Sequence, residues 1–206
     1  QAKLYHIQYP FVDGSGHLTI ATTRPETIMA DAAICVNPLD ERYIKYHGKK
    51  VFIPLINREI SIIADEYVSL DFGTGCLKVT PAHDLNDYEL GIKHKLPVID
   101  LLNDDGTLNE KAVLFVGLDR FEARKRIVKQ LTEEGFLVKT DEYKSTVGTS
   151  ERTGAVIEPK LSLQWFLKME DLAKPALEHV MNDDIQLHPA KFSSRARTLQ
   201  VRSAIK

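Results

Sequence analysis

The segment Gly73–Gly91, GTGCLKVTPAHDLNDYELG, restricts the fold more than any other stretch of this chain. Leu77 to Thr80 has strand character, and Pro81 halts it because a proline cannot donate to a ladder. A helical period follows in Tyr88, Leu90 and Ile92, opened by Asp84-Leu85-Asn86-Asp87. Asp84 reads as the N-cap, with Asp87 three residues on in a capping-box-like place. Two acids at a helix start are ordinarily caps, favoured there by the exposed N–H groups and the dipole. Strand alternation, however, sets Lys78 and Thr80 on one side of the sheet, toward the turn that delivers both acids. A cation, a hydroxyl and two carboxylates then converge, a combination that buried cores avoid unless something uses it.

The 206 residues suffice for one sizeable domain, and their net charge of −2 excludes the global basic field of a non-specific nucleic-acid binder. Any RNA contact must be local. No apolar run is long enough to span a bilayer, and Gln1 to Pro10 lacks the order of a signal peptide, so no membrane partner and a cytoplasmic location are expected. Cys35 and Cys76 match no zinc or redox spacing and read as reduced, buried thiols.

Lys3–Val12 and His17–Thr23 alternate around the turn Asp13-Gly-Ser-Gly16 and predict a hairpin. Pro25 then suits the first position of a helix capped by Thr23 or Arg24, where a missing N–H costs nothing. Thr22, Thr23 and Glu26 read in part as caps. Arg24 and Thr27 sit where a helix start commonly meets an anionic or carbonyl ligand. Further strands are predicted over 33–37, 51–55, 59–64 and 96–102, with a short helix from Asp40 to Tyr46. Asp119–Gly135 is the strongest helix: Asp119 and Glu122 form a capping box, and Phe121, Ile127, Val128 and Leu131 share the buried face. Its other face, Arg120, Arg124, Lys125, Arg126 and Lys129, is either solvated or a local RNA footprint. A hairpin across Asp141-Glu142 and a helix over 169–181 interrupted near Pro175 complete the plan, which is β-rich, without a βαβ rhythm, and of α+β type. Gly73-Thr-Gly75 makes no dinucleotide fingerprint, since a strand follows it.

Thr22-Thr-Arg-Pro-Glu-Thr27, taken with Gly73-Thr-Gly-x-x-Lys-x-Thr-Pro-Ala-His-Asp-x-Asn-Asp-Tyr88, resembles the editing domain inserted into class I aminoacyl-tRNA synthetases. The likeness is greatest to the valyl-tRNA synthetases; the isoleucyl and leucyl enzymes share the first signals but differ between Lys78 and Asp87. It is supported by Asn37-Pro-x-Asp-Glu-Arg-Tyr43, Ser150-Glu-Arg-Thr-Gly154 and Gln164-Trp-Phe166, and runs from about Lys3 to Phe192. The run Ser193–Lys206 departs from the family, which divides the chain into an editing domain, 1–192, and a tail, 193–206, foreign to it or disordered.

The resemblance implies a β-barrel-like core with peripheral helices, and hydrolysis of threonine misattached to the 3′ end of tRNA(Val). A valine pocket rejects threonine poorly, by about a hundredfold in the known valine-activating enzyme, whereas a second pocket that hydrogen-bonds the hydroxyl can separate the two. Asp87, Lys78 and Thr27 take the catalytic roles, with Asp87 receiving the α-ammonium. Arg24, Thr23, Thr80, Asp84 and His83 bind substrate, Asp84 reading the threonine hydroxyl; a general-base role for His83 is the less favoured reading. Editing needs no cofactor or metal on this view, and ATP belongs to a synthetic domain whose signature loops this sequence lacks. The implied partners are tRNA and the catalytic domain of a parent synthetase, with the fragment itself monomeric. Two rivals are a non-catalytic tRNA-binding module built on the Arg120–Lys129 face, and a metal hydrolase using His83, Asp84, Asp87 and His94.

Overall fold

Ile7 and Tyr9 point to one side of the first strand, and this period of two sets the first sheet. β1 (Ala2–Pro10) lies at its centre, antiparallel to β2 (His17–Thr22) on one edge and to β7 (Leu137–Tyr143) on the other. The second sheet has the order β4-β5-β3-β6, from β3 (Ala33–Val36), β4 (Lys50–Ile53), β5 (Arg58–Ala64) and β6 (Cys76–Val79). β3 is apolar and buried at every position because both of its faces are covered. Ile34 and Val36 join the main core with Ile7, Ile20, Val51 and Ile53. Ala33 and Cys35 pack on the opposite side with Val79 and Leu90. The two sheets meet at a bridge between Phe11 and Val51. The class is therefore the β-rich α+β one expected, with two joined sheets rather than one closed ring of strands.

The computed structural model describes residues 2–71, 73–185 and 188. The tail proposed for 193–206 lies outside the described residues. Two units are separately compact, 1–161 and 162–206. The first holds both sheets, α1 (Leu85–Lys93) and α2 (Arg120–Glu133); the second holds α3 (Glu170–Met181).

Several elements differ from expectation for identifiable reasons. The helix expected after Arg24 is a six-residue 3₁₀ turn, Pro25–Ala30, buried throughout and without a side-chain cap. Residues 96–102 form no strand, since Pro97 lacks a donor and the Leu101 N–H goes to the His83 ring at 3.1 Å instead of to a ladder. Asp141-Glu142 is not a hairpin tip. β7 runs straight through it because β1 offers a partner ladder, Leu4 standing opposite Asp141. In α2 the buried residues are Ala123, Ile127 and Leu131, Phe121 is exposed, and Glu122 pairs with Lys125 and Arg126 rather than closing a capping box. α3 continues through Pro175, which forfeits one bond near the helix start.

Candidate active site

Pro81 and Asp84 act locally as the sequence predicts: β6 ends at Val79, and the Asp84 carboxylate accepts the N–H groups of Asn86 (2.8 Å) and Asp87 (3.1 Å) at the head of α1. Asp87 is not used in a capping box. Its Oδ2 accepts the Thr80 N–H at 2.8 Å, tying the first turn of α1 back to the strand that precedes it. On the far side, Arg24 Nη1 donates to the His83 carbonyl at 3.0 Å, so the Thr-Arg-Pro turn closes on the same place. A cavity of about 630 Å³ lies between these segments, and Thr23, Arg24, Thr27, Lys78, Thr80, His83, Asp84 and Asp87 all line it. Thr74 and Cys76 line it as well, and between them Gly75 takes φ +76°, packed so closely on the other side that a Cβ would stand 2.6 Å from Arg42 Nη2.

A carboxylate that sequence reasoning missed organises the floor. Asp31 is fully buried; Oδ1 accepts Lys78 Nζ (3.1 Å) and the Thr80 hydroxyl (2.7 Å), and Oδ2 accepts the Tyr9 hydroxyl (2.6 Å). Lys78 Nζ also donates to Thr27 Oγ1 at 3.1 Å and to Thr80 Oγ1. Its three N–H groups are thereby assigned within the protein, so Lys78 presents a fixed charge rather than a spare donor. The Thr27 hydroxyl donates to the Arg24 carbonyl at 3.0 Å, and that of Thr80 to Asp31. Each keeps one lone pair. The cavity wall is thus rich in acceptors, which suits a ligand that brings donors.

Burial raises the Asp87 carboxyl to about 6, against the opposing pull of Lys78 and the Thr80 N–H. Among the described residues no cation lies within ion-pair distance of it. His83 moves the other way, to about 4, through burial and then the nearby Arg24 charge. Its Nε2 accepts the Leu101 N–H, so the ring is neutral, protonated on Nδ1, and has no free basic nitrogen for catalysis.

The basic face of α2 is partly consumed. Arg124 forms a paired fork with the buried Glu26, at 2.8 and 2.7 Å, and Arg120 Nε stands 2.9 Å from Glu158, which also holds Arg24. The four residues of the metal-site rival are engaged separately: His94 lies outside the cavity, and Asp87 accepts the Thr80 N–H. His94 bonds Asp65 at 2.6 Å, Asp84 caps α1, and His83 serves Leu101. Among the described residues no group of three or more His, Cys, Asp and Glu is placed to hold a metal.

Comparison with known proteins fixes the family. The model of the family described as "Leucyl-tRNA synthetase, editing domain" matches residues 40–159, more than half of the chain. The chain belongs to the synthetase editing-domain family. Within it, this editing domain is similar to the valine–tRNA ligases of Parabacteroides distasonis, 57% identical over 196 residues, and Christiangramia forsetii, 58% over 195. Each match covers 95% of this chain and 22% of the relative, so the chain spans under a quarter of the length of these ligases. Its fold is that of the crystal structure of GlLeuRS-CP1 (TM-score 0.54, 13% identity, 68% of this chain and 100% of that one). It also matches a ternary complex of Agrobacterium radiobacter LeuRS with tRNA and LeuAMS (TM-score 0.55, 19% identity, 68% of this chain and 20% of that one).

Proposed function

We propose that this editing domain hydrolyses the ester joining misattached threonine to the terminal adenosine of tRNA(Val), as part of a cytoplasmic valine–tRNA ligase. The observation that carries this is the cation-free Asp87 carboxylate set in an acceptor-lined cavity sized for an amino acid with its ribose. The aminoacyl group supplies the donors. Its α-ammonium meets Asp87, and the threonine hydroxyl meets Asp84, whose Oδ1 is occupied by the cap while Oδ2 has no bonded N–H. Valine lacks that hydroxyl and forfeits the hydrogen bond, and because Asp84 is exposed the loss is that of the bond alone.

Water attacks the ester carbonyl carbon, the bond from that carbon to the ribose oxygen breaks, and the ribose oxygen leaves with a proton. The free lone pair on Thr27 orients the attacking water, and the Lys78 charge stabilises the oxyanion through space. Thr23 and Arg24, which also line the cavity, hold the adenosine. An aminoacyl ester is already reactive, so positioning and charge supply the catalysis without an activated nucleophile, a metal or a cofactor.

The test is release of threonine and of valine from threonyl- and valyl-tRNA(Val) by this chain, with and without a chelator. Threonine is released preferentially, the chelator has no effect, and Asp87→Ala reduces hydrolysis by at least about a hundredfold. Hydrolysis at an undiminished rate by folded Asp87→Ala overturns the assignment.

A further inference from the structure

The carboxylate of Asp31 lies behind the cavity wall and is not among the residues lining it. Its position is fixed on every side. The residue follows the 3₁₀ turn, its N–H bonds the Ile28 carbonyl at 3.0 Å, and its own carbonyl accepts Arg58 Nη2 from β5 at 2.7 Å. Its side chain is held by Tyr9 of β1 and holds Lys78 of β6 and Thr80 just beyond it. Lys78, only 11% exposed at its side chain, therefore finds its counter-charge away from the cavity.

The cavity contains a second carboxylate that a free Lys78 would seek. Asp87 is close enough for the Lys78 charge to act on it, yet the two are not ion-paired. Removing the Asp31 charge leaves a buried ammonium with two hydroxyl acceptors but no counter-charge, and an uncompensated buried charge is strongly unfavourable. The nearest remedy for Lys78 is to swing to Asp87, occupying the carboxylate that the substrate ammonium needs.

We propose that Asp31 is a positioning residue of this site: its buried carboxylate retains Lys78 and Thr80 and thereby keeps Asp87 unpaired for a cationic ligand. The functional consequence rests on the editing function proposed above; the geometry does not. The groups about Asp87 include Lys78 from β6, Asp31 behind it, Asp84 at the head of its own helix, Tyr67 from the 65–68 loop, Cys35 from β3, and His83 and Arg24 on the cavity wall. Of the two cations, Arg24 is held by the His83 carbonyl and Glu158, which leaves Lys78 as the one that acts on Asp87.

The experiment is a carboxyl-carbon NMR titration of Asp87 in the whole chain, wild type and Asp31→Asn, alongside pH profiles of threonyl-tRNA hydrolysis. Asparagine keeps the shape and the acceptor for Tyr9 but removes the charge. Loss of the Asp31 charge by itself lowers the Asp87 midpoint only slightly; in Asp31→Asn it falls at least tenfold in proton affinity because Lys78 pairs with it as well, and KM for threonyl-tRNA rises at least tenfold. Adding Lys78→Met to Asp31→Asn brings the midpoint back up. An unchanged midpoint in folded Asp31→Asn overturns the proposal. If the midpoint moves while wild type shows no hydrolysis, the positioning role stands and the editing function fails. If Asp31→Asn does not fold, the wild-type Lys78 ammonium decides: a slowly exchanging Nζ signal supports the proposal, and exchange as fast as that of surface lysines overturns it.

Discussion

At the residue scale, Asp87 couples function to an energetic cost. Its carboxyl titrates near 6 when folded, against an ordinary 3.8, so the folded state binds that proton more tightly than the unfolded state. Stability from this group is present in acid and lost as pH rises from about 4 through about 6, where the folded protein must release the proton. At about 1.4 kcal/mol per unit, the cost at neutral pH is roughly 2–3 kcal/mol. Asp87→Asn, which retains an acceptor for the Thr80 N–H, should therefore be the more stable protein at about pH 8 and equal to wild type near pH 4, by urea denaturation at both values. Hydrolysis by wild type should rise with pH through about 6 and then level, because only ionised Asp87 meets an ammonium.

The sequence carries Asp84, Lys78 and Thr80 on its surface, since a cap, a period of two and a proline stop are all local signals. Asp31 has no such signal. Its partners Tyr9, Lys78 and Thr80 stand 22, 47 and 49 residues away, and only the packed sheets bring them together. Arg124 escaped for the same reason: its ion pair with Glu26 spans 98 residues, so a basic helix face read as solvated is partly interior.

At the scale of elements, the site depends on how closely α1 approaches the turn before it. Gly91 faces Pro81, and a Cβ there would lie 2.9 Å from the proline ring, which is fixed to the backbone and cannot yield. Alanine for glycine inside an exposed helix ordinarily gains about 0.5–1 kcal/mol. Here Gly91→Ala should instead lose about 1–3 kcal/mol as an overpacked contact, measured by chemical denaturation. It should also weaken the Asp87 contact with the Thr80 N–H. Where elements were misread, a long-range partner overrode a local pattern. The polar run in β7 resembles a turn, but β1 lies beside it, and the apolar run 96–102 resembles a strand, but His83 takes its donor.

For the whole molecule, the unit 1–161 contains every residue lining the cavity, together with Glu158 and the α2 arginines. A chain ending at Leu161 should fold with a melting temperature within about 4 °C of the full chain, the shift that roughly 1 kcal/mol produces at this size. It should also keep the Asp87 titration. Loss of cooperative melting in that truncation would show that the second unit is required.

β1 is flanked by segments from opposite ends of this unit, with Ala2 opposite Tyr143. During synthesis the first strand can pair with β2 almost at once, but its other edge waits until residue 143 has cleared the ribosome. While the residues between β2 and β7 are being made, the nascent chain therefore exposes an open ladder, a hazard for mispairing between neighbouring chains on one message. The charges along β7, Lys139, Asp141 and Glu142, lie on the strand that finally seals it.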